Sequence, residues 1–192
     1  MSDSSRTRST DRRFYGIAEA IVAEVNDPAK EGRVKLQIPW FDPNLVSDWC
    51  RVCQFYAGNK YGSFFVPEVG DEVAIAFVHG DMRLPIVLGG LYNGQDLPAT
   101  RRDDSTDEKL IRTKAGHQIV LVDTGGQETI RIIEKGGKHS LEISTKDNGI
   151  TVKSDGGKLV LRANEVEIEA DSTLKIKAGG DVRISGATIH LN

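Results

Sequence analysis

The stretch that decides the fold lies near the end of the chain, where residues 165–170 read EVEIEA and residues 174–178 read LKIKA. Successive side chains of a strand point to opposite faces, so Val166 and Ile168 share one face while the glutamates beside them share the other. The second segment alternates leucine and isoleucine with lysine in the same way. Both segments therefore predict strands with one aliphatic and one charged face.

Short aliphatic strands of this kind recur from residue 115 onward. Their starts lie about 11 residues apart at first and about 7–9 residues apart later, which is a strand-and-turn repeat. Glycine-containing turns such as TGG, KGG and DGG separate many of them. The predicted strands are 119–122, 130–133, 141–143, 150–152, 159–161, 166–168, 174–176, 182–184 and 189–191.

A repeat this short cannot enclose a core alone, because a single-chain β-helix needs several strands in each coil. Three copies around one axis would bury the aliphatic edge, each forming one side of a triangular prism. No aromatic residue follows Tyr92, which fits a core where three side chains converge. A monomeric sandwich or solenoid is the alternative. The predicted needle core consists of Val166, Ile168, Leu174, Ile176, Val182 and Ile184.

Composition divides the chain near residue 100, since all aromatic residues, prolines and cysteines lie before residue 99. Five aromatic-rich strands between Gly, Pro and Asp turns predict a small Greek-key barrel such as an OB-fold in the first part. The fold class is therefore all-β, an N-terminal OB-fold barrel followed by a trimeric, triple-stranded β-helix needle. The expected divisions are a flexible basic arm (1–14), an OB-fold collar (15–95), a linker (96–112) and the spike (113–192).

Charge and hydropathy exclude two classes of partner. Residues 14–98 carry a net charge of −5, which disfavours nucleic acid because phosphate binding rests on Lys and Arg. No apolar run approaches the roughly 18 residues that span a membrane, so no stable membrane insertion is expected. Residues 1–13 are polar and contain no apolar segment, so no secretory signal and synthesis in the cytoplasm are expected.

The segment PEVGDEVAIAFVHGDMRLPIVLGGLYNG (67–94) resembles the OB-domain signature of the VgrG and phage baseplate assembly protein V family. Downstream, KAGHQIVLVDTGGQETIRI (114–132) resembles this family's entry into its triple-stranded β-helix. The elements that carry the barrel match are Pro67-x-x-Gly70-x-Glu72-Val73, Gly80-Asp81, Pro85-Ile86-Val87-x-Gly89, Tyr92-Asn93-Gly94, and upstream Trp49-x-Arg51-Val52 and Ala57-Gly58.

This resemblance implies a homotrimeric central spike in a contractile phage tail or related injection machine, which sheath contraction drives through a target envelope. Large family members carry a hub region before the barrel, so a separate trimeric hub protein of the baseplate is expected as partner. A small PAAR-type tip protein is expected at the other end. The expected location is an assembled phage tail or an extracellular or cell-associated injection particle.

Each end of the chain has a predicted docking role. The basic residues Arg6, Arg8, Arg12 and Arg13 would repeat threefold as a crown toward the hub. The last predicted aliphatic strand, 189–191, lies within Ile189, His190, Leu191 and Asn192, and these four residues would form a blunt platform for the tip protein.

The sequence predicts no enzyme, no cofactor and no metal site. Cys50-x-x-Cys53 lacks the second ligand pair that zinc needs, and its thiols would point to opposite faces of a strand. His190 stands alone between Ile189 and Leu191 and points away from the axis by parity. The rival function is a trimeric β-helix tailspike enzyme acting on polysaccharide, but no positioned acid and base pair is visible.

Overall fold

The computed structural model describes residues 13–100 and 107–190. The chain divides into two compact units, Met1–Arg101 and Arg102–Asn192. Within the described ranges, no helix has the length and apolarity to cross a membrane.

The first unit is a mainly antiparallel β structure in which apolar and polar residues alternate along the strands. In EVAIAF (Glu72–Phe77), every second side chain is buried, because the inward positions meet the core and the others face outward. The strands are β1 (Ile17–Glu24), β2 (Lys35–Ile38), β3 (Asp42–Val46), β4 (Arg51–Val52), β5 (Ala57–Gly58), β6 (Tyr61–Gly62), β7 (Glu72–Phe77) and β8 (Pro85–Gly90). A 3₁₀ turn, Val78–Gly80, joins the last two strands.

Strand pairing closes this unit into a barrel. The sheet has the order β3-β2-β1-β7-β8-β4, with β4 parallel to β8 and the other pairs antiparallel. An antiparallel bridge between Val34 and Cys50 then joins the start of β2 to the start of β4. The ring β2-β1-β7-β8-β4 is therefore complete, and its five strands match the small Greek-key barrel predicted from the sequence.

The barrel interior is a single aliphatic cluster. Leu36, Val73, Ile75 and Val87 have no exposed surface, and they come from β2, β7 and β8 of the ring. The full cluster is Ala20, Val22, Val34, Leu36, Ile38, Cys50, Val73, Ile75, Phe77 and Val87.

One buried carboxylate organises the loop between β1 and β2. Asp27 accepts hydrogen bonds from the backbone N–H groups of Ala29 and Glu31 and from the guanidinium of Arg33. The hydrogen bond from Arg33 is the main reason that the Asp27 pKa lies well below its usual range; burial opposes this effect. Gly32 has φ +72°, and a Cβ there would lie 2.6 Å from the Phe64 ring, so this loop requires glycine.

The second unit is an antiparallel meander. Its strands follow chain order, so each hydrogen-bonds to the next one along the sequence. They are β9 (Glu108–Arg112), β10 (Gln118–Val122), β11 (Thr129–Ile133), β12 (His139–Ser144) and β13 (Gly149–Ser154). Strands β10 to β13 contain the first four strands of the predicted repeat.

The position of β9 differs from the sequence interpretation, which placed residues 96–112 in a linker. All five residues of β9 pair with β10, from Glu108 opposite Val122 to Arg112 opposite Gln118. The strand was missed because Glu108, Lys109 and Arg112 are charged and the segment follows a polar stretch. Pairing with an aliphatic neighbour, rather than its own hydrophobicity, holds this segment extended.

Residues 155–190 form no strand in the single chain. Five strands were predicted there, and all of the described large aliphatic residues in this segment are exposed. A strand needs hydrogen-bond partners, and one narrow ribbon with an apolar edge offers none to itself. The triple-stranded needle is therefore absent from the isolated chain.

Candidate assembly surface

The meander of the second unit carries a face made of aliphatic side chains. Two cross-strand rows define it, because residues paired in register lie side by side on the same face. The rows are separated by one residue on each strand, so parity places both on one face. The first row is Ile111, Ile119, Ile132, Leu141 and Val152, and the second row is Leu121, Ile130, Ile143 and Ile150. We call these nine residues the aliphatic face.

This aliphatic face has no cover within the described residues of its own unit. Leu141 is half-buried, and the other eight side chains are 40–71% exposed. A soluble monomer seldom exposes so continuous an apolar surface, which usually marks a contact with another protein. The opposite face of the sheet is mixed: it contains buried Val120 beside Arg131 and Glu142.

The aliphatic pattern continues beyond the sheet. All six residues predicted as needle core, Val166, Ile168, Leu174, Ile176, Val182 and Ile184, are 55–68% exposed. Leu159, Leu161 and Ile189 are also exposed, at 49–70%. The structure therefore places the predicted core residues on the surface of the single chain and does not bring them together.

The two ends of the meander strands carry opposite charge. One end, residues 107–108, 122–129 and 144–149, has five carboxylates and one lysine, net −4, and we call it the acidic edge. The other end, residues 112–118, 133–140 and 153–155, has five Lys or Arg and two carboxylates, net +3, and we call it the basic edge. The basic edge also contains His117 and His139.

Internal contacts hold several of these edge groups in place. Lys109 forms an ion pair with Asp123, and the Asp107 carboxylate accepts a hydrogen bond from Thr124. The Glu134 pKa is lowered, mainly because its carboxylate accepts the Gly136 N–H. The pKa of Glu128 is also lowered, mainly by backbone hydrogen bonds. Both glutamates therefore stay ionised at neutral pH, and the edge charges persist there.

The barrel exposes aromatic residues around the β5-β6 hairpin. Phe55 and Phe65 stack with their ring centroids 6.0 Å apart, and Tyr56 lies 5.4 Å from Tyr61. All four side chains are exposed, as is Phe64. The sequence interpretation used these residues only as evidence for a barrel and assigned them no surface role.

The predicted terminal docking residues are only partly described. Arg13 is exposed, and its guanidinium donates a hydrogen bond to the Tyr15 hydroxyl at 3.0 Å. Ile189 and His190 are also exposed. The remaining predicted residues, Arg6, Arg8, Arg12, Leu191 and Asn192, lie outside the described residues.

The cysteines and histidines form no metal cluster in the described parts of the chain. Cys50 is buried and Cys53 is exposed, as strand parity predicts. Burial raises the pKa of the Cys50 thiol, which lies 3.1 Å from the Ser47 hydroxyl. His139 contacts the Ser154 hydroxyl through Nδ1 at 3.2 Å.

The aliphatic face was only partly predicted, since residues 119–122, 130–133, 141–143 and 150–152 were interpreted as strands without being assigned to the needle core, and Ile111 was placed in the linker. Aligning the strands by parity would have found it. Isoleucine, leucine and valine occupy the same parity on β10, β11, β12 and β13, and Ile111 joins them once β9 is recognised.

Residues 18–92 match a protein family described as the type VI secretion system and phage-baseplate injector OB domain. The type VI secretion system spike protein VgrG3 of Vibrio cholerae is 32% identical over 108 residues, which are 52% of this chain and 11% of that protein. The actin cross-linking toxin VgrG1 of the same species is 31% identical over 110 residues, 53% of this chain and 10% of that protein.

A longer match extends beyond the barrel. The spike protein VgrG2a of Pseudomonas aeruginosa is 26% identical over 180 residues, 85% of this chain and 21% of that protein. The matched regions thus span between about a tenth and a fifth of these curated relatives.

Proposed function

We propose that the chain, whose residues 18–92 match the injector OB-domain family of type VI secretion systems and phage baseplates, is a subunit of a homotrimeric central spike. The observation that carries the proposal is the aliphatic face of the meander. Three such sheets around a common axis would turn their aliphatic faces inward and form a triangular prism. The mixed faces with Arg131 and Glu142 would then lie outside.

Free energy supports burial of this face between copies. Full burial of an aliphatic side chain is worth about 1.5–3 kcal/mol, so covering a half-exposed one gives roughly 1 kcal/mol. The eight exposed side chains then contribute on the order of 8 kcal/mol per chain. Association costs an estimated 4–15 kcal/mol in lost freedom, so the aliphatic face by itself roughly offsets this cost.

Residues 155–190 supply the remainder of the driving force. Their exposed Val, Ile and Leu side chains alternate with charged ones, and they lack strand partners in the single chain. Strands from the other two copies would provide both the hydrogen bonds and the aliphatic neighbours. This arrangement is the triple-stranded needle that the sequence predicts.

The assembled spike would act mechanically. In this proposal the needle pierces the target envelope when the sheath of a phage tail or injection machine contracts. The barrels form a collar on a trimeric hub protein, helped by Arg6, Arg8, Arg12 and Arg13, while residues 189–192 hold a PAAR-type tip protein. No bond-making chemistry is assigned to the chain, which works within an assembled tail or injection particle.

Two adjacent residues of β13 provide the test. Val152 lies on the aliphatic face and is 57% exposed, whereas Thr151 lies on the mixed face. We expect light scattering of the full chain to give about three times the 21.0 kDa chain mass. Val152→Asp would place three carboxylates in the prism interior and abolish the trimer, whereas Thr151→Asp would leave it intact.

A folded wild-type chain that stays monomeric at micromolar concentration would contradict the proposal. Equal tolerance of Val152→Asp and Thr151→Asp by a wild-type trimer would show that the aliphatic face is not the contact surface. Because Val152 is already exposed, its replacement leaves the packing within the chain unchanged.

A further inference from the structure

The acidic edge and the basic edge carry opposite charges, and these charges can determine how two copies of the chain contact each other. Hydrogen bonds extend the ladder to both edges, from Asp123 to Asp107 at one end and from Glu134 to His139 at the other. The charged groups therefore sit at the lateral limits of a sheet, on either side of the aliphatic face. Their separation is about the length of a strand, or ~20 Å for six residues.

Rotational symmetry brings unlike edges together. In a cyclic ring each copy presents one surface to the neighbour on its left and a different surface to the neighbour on its right. If each sheet forms one side of a prism, the acidic edge of one copy lies against the basic edge of the next. The net charges of −4 and +3 then attract at every corner.

We propose that the acidic edge of the meander binds the basic edge of a second copy of this chain, so that complementary charge at the prism corners sets the direction in which copies join. This inference takes the number of copies from the proposed function, on which it rests. What it adds is which surfaces of neighbouring copies contact each other. The acidic side consists of Asp107, Glu108, Asp123 and Glu128. The backbone N–H of Asp123 donates a hydrogen bond to the Asp107 carbonyl. The basic side is formed by Lys114, Lys135 and Lys138, beside His117 and His139.

The aliphatic face and the edges have separate tasks in this arrangement. Apolar contacts are non-directional, so the aliphatic face alone permits sheets to join in either sense. Like-charged edges repel, which disfavours joining acidic edge to acidic edge. The glycine-containing turns at both edges, such as TGG and KGG, keep the corners small enough for backbones to approach.

The experiment changes the net charge of each edge and then of both. The acidic-edge variant is Glu108→Lys with Gln127→Lys, and the basic-edge variant is Lys135→Glu with Lys138→Glu. These positions are exposed turn or strand-end residues, which spares the internal ion pair of Lys109 with Asp123. The control is Lys30→Glu with Lys60→Glu, two exposed loop lysines of the barrel that match the basic-edge variant in charge.

The readout is the concentration at which the full-length oligomer dissociates, measured by light scattering at low salt. The acidic-edge variant changes that edge from −4 to −1, and the basic-edge variant changes the other edge from +3 to −1. We expect each variant to raise this concentration at least about tenfold, because the attraction between the edges is weakened in the first and replaced by repulsion in the second. The variant with all four substitutions has −1 on both edges and should be weakened less than the two separate losses combined, and the barrel control behaves like wild type. Added salt weakens the wild-type oligomer and strengthens the basic-edge variant, whose two edges are both negative.

The outcomes separate this inference from the proposed function. A wild-type trimer that tolerates both edge variants, or a four-fold variant as weak as the two losses combined, overturns the edge contact and leaves the trimer standing. A dimer in which the four-fold variant is weakened less than the two losses combined overturns the trimer and supports the edge contact. Open filaments that require both edges support the edge contact and contradict a closed ring.

Discussion

The barrel and the meander are both antiparallel β structures, but they bury their aliphatic residues differently. Ten of the eleven buried hydrophobic residues in the described chain belong to the barrel, and Val120 belongs to the meander. The barrel closes on itself through the parallel pair of β4 and β8 and the bridge from Val34 to Cys50. An open sheet of five strands cannot do this, so its aliphatic face stays exposed until another sheet covers it.

This difference teaches how one chain can contain both an autonomous and a dependent folding unit. The barrel gains its stability from contacts within the chain. The second unit buries only Val120 among its described hydrophobic residues, so in the proposed trimer its stability would depend on the concentration of copies. Substitutions in the two units should therefore respond differently to protein concentration.

The largest effect is expected in the predicted needle core. Ile168→Asp would bring three uncompensated charges onto one axis, which costs at least several kcal/mol. We expect the full-length trimer to be lost, as judged by light scattering and by resistance to SDS. Lys175→Ala, on the opposite parity, should leave both measurements unchanged. Equal effects of the two substitutions would show that the assigned parity of residues 165–177 is wrong.

A smaller effect, confined to the barrel, is expected from Leu36→Ala. Leu36 has no exposed surface, and truncation of a buried leucine costs about 2–5 kcal/mol. Trp40 and Trp49 are the two tryptophans of the chain and both lie in the barrel region, so their fluorescence reports barrel unfolding. We expect a lower midpoint of barrel unfolding in denaturant at every protein concentration.

The matched variant is Ile132→Ala on the aliphatic face, where the side chain is 50% exposed in the single chain. It should leave the tryptophan transition in place and raise the concentration at which the trimer dissociates. A shift of the tryptophan transition by Ile132→Ala alone would contradict the independence of the two units.

The smallest effect concerns acid stability of the barrel. The Asp27 pKa is lowered in the folded barrel, chiefly by Arg33, so its ionised form stabilises the fold. That contribution is complete above the unfolded pKa of about 4 and is lost as pH falls toward the folded value. Asp27→Asn should therefore weaken the barrel at neutral pH and flatten the dependence of the unfolding free energy on pH below about 4.

Asp81→Asn is the control for this carboxylate. Arg83 lowers the pKa of Asp81 to about 2, but the pair is exposed, with side chains 32% and 88% accessible. Solvent screens exposed ion pairs, so this substitution should change acid stability less than Asp27→Asn does. An equal change in both variants would show that Asp27 contributes no more to the acid stability of the barrel than an exposed ion pair does.

Strand parity made much of the fold predictable from sequence. Alternation in EVAIAF and in the aliphatic segments near residues 119, 130, 141 and 150 identified strands that the structure contains. The charged strand β9 was missed because its extension depends on pairing with β10. The short hairpin of β5 and β6 was missed because two-residue strands carry no periodicity.

The charged edges show why the candidate site was harder to predict. The net charge summed over residues 107–192 is zero, because the acidic edge (−4) and the basic edge (+3) nearly cancel within it. Their opposition becomes visible only when the register assigns each turn to one end of the sheet. Residues 159–189 are the opposite case. Their alternating pattern predicts strands, but the structure of the single chain contains none there, because these strands need partners outside the single chain.

Amide hydrogen exchange of the full-length protein tests the dependence of the second unit on other copies most directly. The tested amides are those of residues 159–184, which form no strand in the single chain. We expect them to be protected at concentrations where the protein has the trimer mass, and to lose protection in Val152→Asp while barrel amides stay protected. Exchange of these amides at free-chain rates in a fully folded wild-type sample would contradict a needle built from three copies.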